Sequence, residues 1–258
     1  MSKKNLSFVV LGSGNVATHL AKVLNKNNYK IKQVYSKTLL NAEYLAKQIN
    51  CKATNDVSKI KEADCYLICL KDDSIFEVLN KINVSNKLLI ATSGTLPLNV
   101  YLNYSRKVAI LYPLQTLSKK RSVTFKKVPL LIEASGKQEL KQINKIAHNI
   151  SSYVVEASSE QRLKYHLAAV FANNFTNYLY QIAETICIDN KLDFELLKPL
   201  IIETAHKILN MSPVIAQTGP AKRSDLVIMQ KHLSLLKKYP SYQFIYKWFS
   251  EQISGIQL

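Results

Sequence analysis

The chain has 258 residues, 47% of them apolar, and a formal net charge of +17. That length and apolar content allow a sizeable core and exclude a disordered chain, and no run approaches the ~18 consecutive apolar residues of a membrane span. The basic set is 31 Lys against 4 Arg, scattered and accompanied by 20 Asn; readers of nucleic acid favour Arg forks, so nucleic acid is not the expected partner, although attraction for anions follows from the charge.

Met1-Ser2-Lys3-Lys4 has the charge of a signal peptide, but the apolar run Leu6–Leu11 is too short for one and meets Gly12 without a cleavage site. The expectation is a cytoplasmic, soluble protein. The next ~145 residues alternate strand and helix. Leu6–Leu11 reads as a strand, 15–28 as a helix, Ile31–Tyr35 as a strand and Leu39–Ile49 as a helix. Further strands are expected at Cys65–Leu70, Lys87–Ala91, Val108–Tyr112, Val128–Glu133 and Tyr153–Val155. Continuously apolar strands separated by helices predict a mainly parallel, doubly wound α/β sheet covered on both faces. Cys65 and Cys69 fall on one side of their strand, and without CxxC or a nearby His the four Cys read as reduced thiols with no metal site.

Past Ala157 no strand pattern remains. Helical spacing covers about 160–188, 193–210, 223–238 and 242–256, with Pro199 in a first turn and breaks at Pro213 and Gly219-Pro220. This divides the chain into a Rossmann-like domain, 1–157, and an all-α domain, 158–258.

Gly12-Ser13-Gly14-Asn15-Val16-Ala17 fits G-x-G-x-x-A directly after the first strand and at the opening of a helix. The first glycine permits the tight turn, the second admits a pyrophosphate, and Ala17 keeps helix and sheet close. NAD enzymes place an acidic residue about 20 positions on, for the ribose 2′-OH. Here Tyr35-Ser36-Lys37-Thr38 stands there, with no carboxylate until Glu43. Hydroxyls with a cation suit a 2′-phosphate, so Ser36 and Lys37 favour NADP over NAD. Lys71-Asp72-Asp73 and Thr92-Ser93-Gly94-Thr95 should also lie at strand carboxyl ends, where ligands bind; Ser93 and Gly94 are candidates to face the nicotinamide.

At 100° per residue, His166, Asn173, Asn177 and Glu184 share a line on the 160–188 helix, with Arg162 and Tyr180 close by. Residues 165–190 contain no lysine in a lysine-rich chain, which points this face at a site or interface rather than at water. A second cluster runs from Glu203 through His206 and Lys207 to Gln217-Thr218-Gly219-Pro220-Ala221-Lys222-Arg223-Ser224-Asp225. His232 lies two turns past Asp225, a spacing that could pair them.

With Gly12–Ala17, Thr92–Thr95, Tyr112-Pro113-Leu114-Gln115-Thr116, His166–Asn177 and Gln217–Asp225, the sequence resembles the NADP-dependent oxidoreductases that join a Rossmann-like domain to a helical domain of unknown function (2520). The resemblance spans nearly the whole chain. It implies kinship with pyrroline-carboxylate reductases, ketopantoate reductases and β-hydroxyacid dehydrogenases, in which the helical domain closes the substrate cleft and often makes the dimer. The lysine motif of the β-hydroxyacid dehydrogenases is not recognisable here, and the family supplies no substrate.

The reading is therefore an NADP-dependent oxidoreductase moving hydride to or from a small polar, anionic carbonyl, imine, hydroxy or amino compound, as a homodimer through its helical domain. His166 is the expected acid, Asn173 and Asn174 polarise the reacting group, and Lys207 is the rival acid. Arg223 anchors a carboxylate, and Asn177, Thr218, Asp225 and His232 are candidate substrate contacts. The alternative is a sensor or scaffold that binds NADP without turnover.

Overall fold

The computed structural model describes residues 6–258; the leader expectation drawn from Met1–Lys4 lies outside them. The chain forms two compact units, the first ending at Asn174 and the second spanning Phe175–Leu258. No helix among the described residues is long and apolar enough to cross a membrane.

The first unit is built on β1 (Ser7–Leu11), β2 (Lys30–Tyr35), β3 (Lys52–Thr54), β4 (Cys65–Ile68), β5 (Leu88–Ala91), β6 (Val108–Pro113), β7 (Leu130–Ala134) and β8 (Val154–Glu156). They form one sheet in the order β3-β2-β1-β4-β5-β6-β7-β8. Every pair is parallel except β6 with β7. The order reverses between β1 and β4, which opens a crevice at the strands' carboxyl ends.

Two-residue periodicity divides the core between the two faces. Phe8, Val10, Leu67, Ile90 and Leu111 pack with α1 (Asn15–Lys26), α2 (Leu39–Gln48) and α4 (Lys137–Ile150). Val9, Leu11, Ile68, Leu89 and Ile110 pack with α3 (Asp72–Leu79) and the turn around Tyr101. Cys65 and Cys69 belong to the same layer, as their spacing predicts, and burial pushes the Cys65 thiol up to about 12.

After β8, a capping box formed by Ser158 and Gln161 starts α5 (Ser159–Ala169). The expected helix over 160–188 is not uniform: a π-helical segment, Val170–Phe175, separates α5 from α6 (Thr176–Asp189). The wider i→i+5 turn advances each residue by less than 100°. The line drawn through His166, Asn173, Asn177 and Glu184 therefore does not carry across it. The second unit continues with α7 (Lys198–Asn210), α8 (Pro213–Ala216), α9 (Leu226–Leu235) and α10 (Pro240–Ser254), the last ended by left-handed Gly255.

Candidate active site

Gly12 has φ +118°, and a Cβ there would stand 2.4 Å from the Cys69 carbonyl oxygen, so no other residue fits this turn. Its N–H donates to the Tyr35 carbonyl, and the Ser13 hydroxyl donates to that of Ser36 at 2.8 Å, joining the loop to the end of β2. Ala17, in the first turn of α1, is fully buried, and Val16 packs on the same core. Gly14 caps α1 without a side-chain hydrogen bond, no acidic residue stands in the first turn, and none of the described residues beyond its chain neighbours lies within 4 Å of where its Cβ would be. Asn15 turns its amide oxygen toward the Lys119 N–H at 3.2 Å. Uncapped N–H groups at the positive end of a helix, with open space above them, fit a dinucleotide's pyrophosphate.

At the end of β2, Lys37 pairs with Glu77 of α3 at 2.8 Å, both half-exposed. Their hydrogen bond holds Lys37 above and Glu77 below the ordinary values. The sequence reading did not find Glu77. It lies 40 positions away on a helix without a motif, and only the fold brings it to Lys37.

Beyond β5, Ser93 is a turn-former: its hydroxyl accepts the N–H groups of Thr95 and Leu96, while the Thr95 hydroxyl donates to Asp72 at 2.7 Å. Gly94 is covered by side chains of this chain. A Cβ at 94 would meet His166 Nδ1 at 2.9 Å and Tyr112 Cε2 at 3.0 Å. The Tyr112 hydroxyl and His166 Nδ1 are 3.0 Å apart, with the rings edge-to-face. Burial raises the Tyr112 pKa, partly offset by the positive charge of Arg162. The pair borders a cavity of about 290 Å³ whose polar lining includes Gln115, Thr116, Asn173 and Asn174. Of the candidates read from sequence, His166, Asn173 and Asn174 are thus brought together at the carboxyl end of β6. Tyr112, which the sequence showed only inside a family motif, joins them.

Arg162, one turn before His166, is fully buried and fixes α5 to the sheet. Its guanidinium bonds the Glu133 carboxylate of β7 and the Leu96 carbonyl at 2.6 Å. Ser159 donates to the same carboxylate at 2.7 Å and accepts the Leu98 N–H. This network determines where His166 can stand.

The remaining candidates belong to the second unit. The Asp225–His232 pairing does not form. Asp225 is the N-cap of α9 and accepts the Ile228 N–H, so its carboxylate is spent on the helix end. His232 Nδ1 instead meets the Tyr246 hydroxyl at 2.8 Å. Lys207 donates to the Ala216 carbonyl at 2.8 Å. Arg223 is exposed, Thr218 borders an apolar pocket with Tyr242 and Phe249, and Asn177 stands at the start of α6.

A sheet whose order reverses beside an uncapped glycine turn is the architecture of the NAD(P)-binding oxidoreductases, and sequence comparison agrees. Residues 7–94 match the family described as NADP oxidoreductase, coenzyme F420-dependent, and residues 128–253 match the domain of unknown function DUF2520. BF3122 of Bacteroides fragilis, a candidate NADP oxidoreductase, is 38% identical across 99% of this chain and 100% of its own, with a TM-score of 0.94. The chain belongs to this family of two-part Rossmann oxidoreductases. Two more distant structures share the fold: protein TM1727 of Thermotoga maritima (24% identity, 96% of this chain and 97% of that one, TM-score 0.73) and the 1-pyrroline-5-carboxylate reductase of Streptococcus pyogenes (10%, 97% and 99%, 0.63). No curated protein matches the chain.

Proposed function

We propose that the enzyme is an NADPH-dependent reductase of a small, polar, anionic carbonyl or imine compound, or the dehydrogenase running the reverse reaction. The observation that carries this is the His166–Tyr112 pair at the edge of the cavity shared with Asn173 and Asn174. The open helix start at Gly14 and Asn15 would bind the pyrophosphate, Ser36 and Lys37 the 2′-phosphate, and Ser93 and Gly94 would border the nicotinamide. Bound there, the dinucleotide supplies the hydride.

The protein's part is to handle the charge that hydride transfer creates on the acceptor's oxygen or nitrogen. His166 gives that atom a hydrogen bond or a proton. The amides of Asn173 and Asn174 polarise it beforehand. A cavity of about 290 Å³ lies at the small end of ligand pockets, which restricts the substrate to a compact molecule. The +17 charge raises the local concentration of anions.

The helical unit supports a homodimer. Among the described residues of Phe175–Leu258 only five are buried: Cys187, Ala221, Met229, Leu236 and Ser250. Leu196, Leu209, Val214 and Ile215 are each more than 70% exposed. A unit of this size with so small a core and so much open apolar surface calls for a covering surface. A second copy supplies one of identical composition.

A screen of small keto acids, aldehydes and cyclic imines for NADPH consumption tests the proposal. We expect turnover of at least one, reduced about a hundredfold in His166→Gln. Turnover unchanged in that variant would refute the role of His166.

A further inference from the structure

We propose that Tyr112 is a positioning residue: it occupies Nδ1 of His166 and so makes Nε2 the nitrogen that carries hydrogen toward the substrate. The inference deepens the proposed reduction and rests on it for its catalytic meaning, but the geometry concerns these two side chains alone.

Three contacts fix the imidazole. The Tyr112 Oη lies 3.0 Å from Nδ1. The Tyr112 ring meets the imidazole edge-to-face, with centroids 6.1 Å apart. The bare backbone of Gly94 leaves room for Nδ1, which stands 2.9 Å from where a Cβ at 94 would be. Among the described residues, the Tyr112 hydroxyl has no other hydrogen-bond partner and Nε2 has none. Tyr112 is half-buried, so its hydroxyl gains by placing its hydrogen on the acceptor beside it, and an unprotonated imidazole nitrogen is a better acceptor than a phenol oxygen is. In the neutral ring Tyr112 therefore donates to Nδ1, and Nε2 holds the hydrogen. In the charged ring Nδ1–H donates to the Tyr112 oxygen, and Nε2 again holds a hydrogen. The hydroxyl suits both states because it can donate and accept.

The chemical step follows. Hydride reaches the acceptor carbon and the electron pair of its double bond moves to oxygen or nitrogen. The Nε2 proton of the charged ring passes to that atom. The ring is left transiently neutral with its hydrogen on Nδ1, the tautomer less favoured beside Tyr112, until water returns a proton to Nε2. Burial raises the Tyr112 pKa, so the phenol keeps its own proton and holds the ring.

The test is nitrogen-15 NMR of the histidine side chains in the full-length protein, with the His166 signals assigned by their loss in His166→Gln. We expect neutral His166 to carry hydrogen on Nε2 in the wild type and to become a mixture of both tautomers in Tyr112→Phe. On the substrate found by the screen, that variant should lose about ten- to hundredfold in kcat, with NADPH affinity unchanged within about twofold. Hydrogen on Nδ1 in the wild type overturns the proposal, and that result does not depend on Tyr112→Phe folding. An unchanged tautomer in Tyr112→Phe overturns it as well. The expected tautomers combined with full turnover in His166→Gln would instead refute the proposed reaction and leave the tautomer assignment standing.

Discussion

Gly94 and Gly12 are small for different reasons, and their substitutions should fail differently. At Gly94 an added methyl collides with the His166 and Tyr112 rings, so Gly94→Ala should cost about 1–3 kcal/mol and most of the turnover, while NADPH still binds. At Gly12 the methyl meets backbone, on a φ that L-residues avoid, so Gly12→Ala should abolish cofactor binding or folding. Calorimetry with NADPH separates the two. Lys37 is paired with Glu77, so a 2′-phosphate must compete with a carboxylate. Glu77→Gln should therefore strengthen NADPH binding a few-fold and leave NADH unchanged, read by the same titration. The glycines of the nucleotide loop were legible because their spacing is a local pattern. The covering of Gly94 was not, since its neighbours lie 18 and 72 positions away and meet it only once the sheet is assembled.

The elements were legible where burial was continuous. β1, β4, β5 and β6 are apolar on both faces because helices cover both faces, and such runs stand out in any reading. β3 has three residues and α3 eight, too short for periodicity to show. The π segment was invisible because nothing in Val170–Phe175 departs from helical composition. Two interactions between elements can be tested. Replacing Arg162 by Met leaves the Glu133 carboxylate its Ser159 donor but no charge partner, removes the guanidinium from the Leu96 carbonyl, and should cost about 3 kcal/mol in urea unfolding. Asp64, just before β4, accepts the N–H and hydroxyl of Ser7 at 2.9 and 2.6 Å. The Ser7 hydroxyl, followed by its N–H, holds the Asp64 pKa below its usual value. Its contribution is complete above the unfolded carboxylate's value of about 4 and is lost as pH falls through the lower folded value. Wild type should melt above Asp64→Asn at neutral pH, and the gap should close in acid.

At the scale of the molecule, the end of strand patterning near Ala157 was legible because β8 is the last strand, whereas the compact units divide later, between Asn174 and Phe175; the loop that opens α1 pointed to a dinucleotide before any geometry. The second unit's surface was not visible. Leu196, Leu200, Leu209 and Val214 occupy ordinary helical positions, and only the structure shows them open to solvent. If a second copy covers them, Leu200→Glu combined with Val214→Glu should convert a dimer to a monomer in sedimentation equilibrium. A wild type that sediments as a monomer would contradict the pairing. The central claim, NADPH held by the Gly12–Ala17 loop and read by Lys37, is tested most directly by titrating the wild type and Lys37→Glu with NADPH and NADH in a calorimeter. The account predicts tighter NADPH binding in the wild type, weakened about tenfold by the charge reversal (about 1.4 kcal/mol), with NADH little changed. Binding of neither nucleotide, or equal loss of both in the variant, would contradict it.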